Sequence, residues 1–165
     1  MPKLSKNSLT FLKKMYNDNI DTYYNSLDKD KIDEIIKIIN GDYEISLRLL
    51  DWFVTKYTKT NNTVIFCNKI NSEINVYIAY KSQLKIYTKK FFDPFKRQPI
   101  IEYTLNNIQL KTTIGQLLFL KWLYSYNIID FIKNNIDSLY HKMYIYCINE
   151  QKKKLKNSKK RNSKE

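Results

Sequence analysis

The sequence predicts an α+β domain: N-terminal helices, a small antiparallel sheet of about four strands, C-terminal helices and a disordered basic tail. Three observations carry this prediction. Apolar residues recur at three- and four-residue steps in the first third, as one face of a helix requires. The middle switches to β-branched and aromatic residues with a two-residue period, the pattern of a half-buried strand. A nearly continuous apolar helix then follows an Asn-Asn turn. With 165 residues, 43% of them hydrophobic and 15% aromatic, the chain has the material for one core. One domain is therefore expected over residues 1–150, with a basic flexible tail over 151–165.

Leu9, Leu12, Tyr16, Ile20, Tyr23 and Leu27 stripe a first helix from about Ser8 to Ser26. Asp28 can cap a second, with Ile32, Ile35, Ile36 and Ile39 inward and Gly41 available for a left-handed residue after Asn40. Asp42 offers a cap for a third helix reaching about Lys56, along whose polar edge Glu44 and Arg48 are spaced to pair. Thr63–Cys67 and the alternating Ile74, Val76, Ile78 and Tyr80 read as two neighbouring antiparallel strands. Pro99–Leu105, Asn106-Asn107 and Ile108–Thr112 read as a hairpin, because Asn tolerates the positive φ of a two-residue turn. Thr113 and Gln116 have capping-box spacing ahead of an apolar helix interrupted chiefly by Lys121. After a break at Tyr126-Asn127, a last amphipathic helix carries Ile129, Ile132, Ile136, Leu139, Met143 and Cys147, then fades into the tail.

The net charge of +13 is unevenly placed. Residues 1–51 carry eight Lys/Arg against nine Asp/Glu, and residues 102–150 four against four. Residues 52–101 carry nine against two and residues 151–165 eight against one. An A/T-rich genome, which the Lys, Asn, Ile and Tyr usage suggests, would spread lysine more evenly. Two basic blocks between near-neutral ones read instead as binding surfaces for a polyanion.

The segment Tyr80–Arg97 is the more informative block. If helical, Lys81, Lys85 and Lys89 share a face; if extended, they share one too, with Gln83 and Tyr87. Lys90, Lys96 and Arg97 add charge, and Pro94 disfavours helix at Asp93. Phosphate backbones need cations at repeated spacing, and unpaired bases need exposed rings. The tail adds Lys152, Lys153, Lys154, Lys156, Lys159, Lys160 and Arg161 without an apolar period. It reads as a mobile arm for nucleic acid, for nuclear import or for anionic lipid.

Catalytic residues are not apparent. His141 is the single histidine and reads as a surface residue, and two glycines cannot build a phosphate-wrapping loop. Asp93 and Glu102 faintly resemble nuclease carboxylates, but the lysine that usually follows the second is absent from Glu102-Tyr103-Thr104. Cys67 and Cys147 read as buried small hydrophobes, with no metal and no cofactor expected. No apolar run approaches the ~20 residues that span a bilayer, and the N-terminus leads into no signal-peptide core, so the protein is expected to stay where it is made.

The runs Leu47–Tyr57 and Phe92-Asp93-Pro94-Phe95-Lys96-Arg97, with the helix start Thr112–Leu117, resemble a family of small uncharacterised basic proteins of nucleocytoplasmic large DNA viruses. The resemblance covers roughly residues 45–132 and brings no catalytic residues. It implies a setting in a virion or cytoplasmic viral factory. The sequence thus predicts a non-catalytic nucleic-acid-binding accessory or virion core protein, with DNA favoured over RNA. The alternatives are an assembly subunit whose basic middle docks an acidic viral partner protein, and a nuclease-like enzyme.

Overall fold

A computed structural model gives the fold and describes residues 19–95 and 97–162. Leu9, Leu12 and Tyr16 of the expected first stripe lie outside the described residues. Residues 19–25 are helical, and the buried pair here is Ile20 and Tyr24, four residues apart on one face. The Tyr24 hydroxyl donates to the Leu117 carbonyl at 2.6 Å, tying this helix to the centre of the molecule.

Helix α1, Lys29–Asn40, has the ends its sequence predicts. Asp28 Oδ1 accepts from the Lys31 amide at 2.8 Å, and Gly41 takes φ 79°. Asp42 does not cap the next helix: its amide closes the end of α1 on the Lys37 carbonyl at 2.8 Å. Ser46 is the cap instead, its Oγ accepting from Leu49 N at 3.1 Å, and α2 runs Leu47–Trp52. The expected Glu44–Arg48 pair does not form, because the two residues fall on either side of this cap and Arg48 Nη2 donates to Cys147 Sγ at 3.3 Å. Nor does the rod stop near Lys56. It continues through a π-helical turn, Phe53–Tyr57, into α3, Thr58–Asn61, and ends at Asn62 with φ 48°.

Strand β1, Val64–Cys67, pairs antiparallel with β2, Ser72–Asn75, in the register Val64 opposite Asn75 and Cys67 opposite Ser72. The expected strand through Tyr80 stops at Asn75. Asn75 Oδ1 accepts from Ile78 N at 3.0 Å, which starts helix α4, Val76–Phe91. Val76 and Tyr80 suit both patterns, since residues four apart share a helix face as well as a strand face. In the helix both are buried and Ile78 is turned out, 65% exposed.

Strands β3, Ile101–Leu105, and β4, Ile108–Thr112, form the predicted hairpin, with Asn106 at φ 50° and Asn107 at φ 62°. The two hairpins remain separate two-stranded sheets rather than one sheet of four. The alternating run that would have widened the first is helical, so β1 and β2 are four residues each.

Helix α5, Ile114–Ser125, is capped by Thr113 Oγ1, which accepts from Gln116 N at 3.1 Å. It lies at the core's centre: Leu117, Phe119, Leu120 and Leu123 are fully buried, and Phe92 meets both Phe119 and Trp122 edge to face. Asn127, at φ 60°, separates it from α6, Ile128–Asn134. A second break at Asn135, not expected from the sequence, divides α6 from α7, Ile136–Asn162. Cys67 is buried as expected, but Cys147 on α7 is only half-buried.

The tail also departs from expectation: through Asn162 it is the continuation of α7, not irregular chain. Lys, Gln and Leu have good helix propensity, a preformed helix removes the cost of nucleation, and cations suit a helix C-terminus. Lys153 pairs with Glu150 at 2.9 Å within it. Residues 151–161 are nonetheless exposed throughout. Deleting 151–165 is therefore expected to shift the thermal transition by no more than about 0.5 kcal/mol of stability. A large fall in melting temperature would show that the segment is docked.

Candidate nucleic-acid interface

The straight part of α4 presents Lys81 and Lys85, one turn apart and both exposed. Among the described residues neither is ion-paired. Lys89 is exposed too, but Thr88 stands between at φ 62° and ψ 158°, breaking the helix. The single face expected of Lys81, Lys85 and Lys89 is thus interrupted after Lys85. A β-branched residue in that region is strained and is held there only by its surroundings.

Beyond Thr88 the cations meet acids. Arg97 Nε lies 3.7 Å from Asp93 Oδ2, its guanidinium sits 5.0 Å from the centre of the Phe95 ring, and Asp93 Oδ1 accepts from Phe95 N at 2.9 Å. Asp51 adjoins this group: burial pushes its carboxyl up, as does the Asp93 charge, while Arg97, Lys89 and Lys56 act against them. The Tyr80 phenol is pushed up to about 12 by burial and then by Asp51 and Asp93. Lys89 and Arg97 therefore spend part of their charge on Asp51 and Asp93, which the even spacing of lysines in the sequence did not reveal. Lys90 occupies the last turn of α4, and Lys96 lies outside the described residues.

On α7, Lys152, Lys153, Lys156, Lys159 and Lys160 fall within about 120° of arc at 3.6 residues per turn, with Lys154 and Arg161 on the opposite side. What reads as an unstructured arm is a rod with one strongly cationic face, standing on a separate element from the α4 lysines.

The inner side of the same α4 segment forms a cleft of about 220 Å³. Gln83, Ile86 and Tyr87 line it from α4, Leu118, Lys121, Trp122, Ser125 and Tyr126 from α5 and its end, and Lys69 from the β1–β2 turn. Lys69 Nζ lies 5.2 Å from the centre of the Tyr126 ring. Burial, and then the charge of Lys69, hold the Lys121 amine below the ordinary lysine value. Sequence reasoning missed both residues as site candidates. The one available signal was Lys121, a lone charge in an otherwise apolar helix.

The carboxylates weighed for nuclease chemistry have other partners: Asp93 as above, and Glu102 accepts from Gln109 Nε2 at 2.8 Å on the exposed face of the second hairpin. Among the described residues no three His, Cys, Asp or Glu side chains converge as metal ligands. His141 is exposed, as expected. No helix among the described residues is long and apolar enough to cross a membrane.

A model for a family of unknown function, DUF7197, matches residues 5–165, and the chain belongs to that family. The match extends well beyond the stretch in which the sequence resemblance was read. A relative, the uncharacterized protein L507 of Acanthamoeba polyphaga mimivirus, is 40% identical over 107 residues, covering 60% of this chain. The aligned part is 41% of that relative, so the chain spans about two fifths of its length. This similarity supports the giant-virus setting that the sequence resemblance implied. No solved structure matches the chain.

Proposed function

We propose that this chain is a non-catalytic nucleic-acid-binding accessory or virion core protein. It holds the phosphate backbone, of DNA rather than RNA, in a virion or viral factory. The observation that carries this reading is the exposure of cations grouped on two helices. Lys81 and Lys85 project from α4, and five lysines share one face of α7, while the remaining thirds of the chain are near neutral. Point charges at repeated spacing neutralise phosphates without reading sequence, and binding of this kind weakens steeply with salt. The helical form of 151–162 supports a surface that tracks a strand's backbone rather than a loose arm.

The test is a salt titration of a fluorescent DNA oligomer against the full chain. Replacing Lys81 and Lys85 together by Gln is expected to weaken binding and to flatten the slope of log affinity against log salt by up to roughly 0.9 per lost contact on a duplex, or roughly 0.7 on a single strand. Exchanging Lys29 and Lys37 of α1 is expected to change the slope less. Equal slopes for the two pairs would show that only net charge counts, and no binding at low salt would overturn the reading. A second reading, docking of an acidic protein partner, is favoured by a different observation. Val64, Phe66 and Ile78, around the first hairpin and the start of α4, are each about half exposed or more. Capture of a protein partner in place of nucleic acid from the native source would support it.

A further inference from the structure

The cleft between α4 and α5 has the chemistry of a small-ligand site distinct from the outer lysine face. Its polar side chains can all donate: the Lys69 and Lys121 amines do so alone, while the Gln83 amide and the Ser125 hydroxyl, the latter bonded to Tyr23, can also accept. Among the described residues no carboxylate lines it, so two lysines that repel each other face the space without an acid between them. Lys121 Nζ does donate to the Asn19 carbonyl at 3.5 Å and lies 5.7 Å from the centre of the Tyr23 ring, but neither contact supplies a negative charge. The walls are aromatic, from Tyr87, Trp122 and Tyr126, and Ile86 is 64% exposed beside them. Trp122 is 3% exposed and its indole N–H lacks an acceptor among the described residues. Buried donors are seldom left so. Paired cations ask for an anion, and flat apolar walls ask for a ring.

We propose that this cleft binds one nucleotide, its phosphate set between Lys69 and Lys121 and its base against the Tyr87 and Tyr126 rings. At about 220 Å³ the space falls short of the ~300 Å³ at which drug-sized pockets begin, which suits a single nucleotide unit rather than a dinucleotide cofactor. The proposal deepens the nucleic-acid reading and rests on it only in preferring a phosphate ester of a base over other ring-bearing anions. A strand laid along the outer lysines would place one nucleotide here, giving the protein a ring-stacking contact that duplex DNA cannot offer.

The experiment is titration of the full chain with adenosine monophosphate, followed by the two indole N–H resonances in nitrogen-edited NMR spectra. The Trp122 indole signal, assigned by its loss in Trp122→Phe, is expected to move while that of Trp52 stays. Lys69→Gln, on an exposed turn where the substitution leaves the fold unchanged, is expected to raise the dissociation constant about tenfold, as loss of one charge-assisted contact does. Lys121→Gln, checked for an unchanged circular dichroism spectrum, should act in the same direction. Lys81→Gln with Lys85→Gln should leave adenosine monophosphate binding unchanged while weakening the oligomer. A stationary Trp122 resonance would overturn the proposal even if the oligomer still binds. Inorganic phosphate binding as tightly as the nucleotide would overturn it as well, by showing a simple anion site.

Discussion

Raising the pH is expected to unfold this protein cooperatively at about pH 11 to 12, well above the range in which ordinary tyrosines titrate. The reason is a set of phenols, Tyr24 fully buried and Tyr43, Tyr103 and Tyr124 half-buried. Tyr24 is fully buried, and burial, then the neighbouring Tyr23 and Tyr103, push its ionisation well above the ordinary tyrosine value. Tyr103 is raised by burial and by its hydrogen bond to Asp21 Oδ1 at 2.8 Å. Tyr124 is raised by burial and by its bond to Glu34, which also accepts from Lys133 Nζ at 2.6 Å. Tyr43 is pushed up to about 12 by burial and then by Glu34. The sign follows from proton counts. Above the unfolded-state value of about 10 the unfolded chain has released phenolic protons that the folded chain keeps, so stability is intact below that pH and falls as pH rises through the window above it. Tyr24 alone contributes a slope of up to ~1.4 kcal/mol per pH unit, against a total stability of order 5–15 kcal/mol. Lys121, lowered by burial and then by Lys69, has the opposite sign but is one group against several. Tyrosinate absorbance and far-ultraviolet circular dichroism are expected to change in one shared step at about pH 11 to 12. Phenols titrating smoothly near pH 10 with the helical signal intact would show that these rings are not closed off from water.

The parts of the fold legible in the sequence are those decided by local chemistry. Asp28 and Gly41 bracket α1, the Asn106-Asn107 pair turns the second hairpin, and Thr113 starts α5, because each acts on a backbone group within a few residues. Where two local signals compete, the pattern misleads. The alternation from Ile74 to Tyr80 is sound, yet Asn75 supplies a cap and Val76 and Tyr80 also sit four apart, so the helix wins. Asp42 and Ser46 are both good caps; the Asp42 amide holds that residue to the end of α1, five residues before α2 begins, so it is the Ser46 side chain that meets the α2 amides. The π-helical turn at Phe53–Tyr57 and the Thr88 interruption have no local sequence signal of which we can give a physical account. The candidate site follows the same division. The charge blocks and the exposure of Lys81 and Lys85 were readable, because solvated cations need no partner. The draw of Asp51 on Lys89 and Arg97, and the meeting of Lys69 with Lys121, join segments distant in the chain and depend on packing that no spacing rule encodes.

Gln116→Ala is the substitution expected to destabilise the molecule most among those at buried polar positions. Gln116 is fully buried in the first turn of α5, and its amide bridges two other segments. Nε2 donates to the Pro94 carbonyl at 2.8 Å, and Oε1 accepts from Thr112 Oγ1 at 2.6 Å. The amide's orientation is forced, since a carbonyl partner can only accept. The same approach is close beside it: a Cβ added at Gly115 would lie 3.2 Å from Asp93 N, so the chain after α4 is pressed against the start of α5. Truncation to Ala leaves the Pro94 carbonyl and the fully buried Thr112 hydroxyl without partners and opens a cavity. Unmade buried hydrogen bonds cost about 1–3 kcal/mol each, so a loss of about 2–6 kcal/mol is expected for the two. Gln116→Glu keeps the shape but sets a carboxylate oxygen against the Pro94 carbonyl, and should not rescue stability. Gln109→Ala, which removes an exposed bond to Glu102, serves as the control and should stay within about 0.5 kcal/mol. Urea unfolding of the three variants measures this as a shift in midpoint at constant slope. A Gln116→Ala midpoint equal to that of Gln109→Ala would mean that Pro94 and Thr112 find other partners, and that the end of the lysine segment is not anchored through α5.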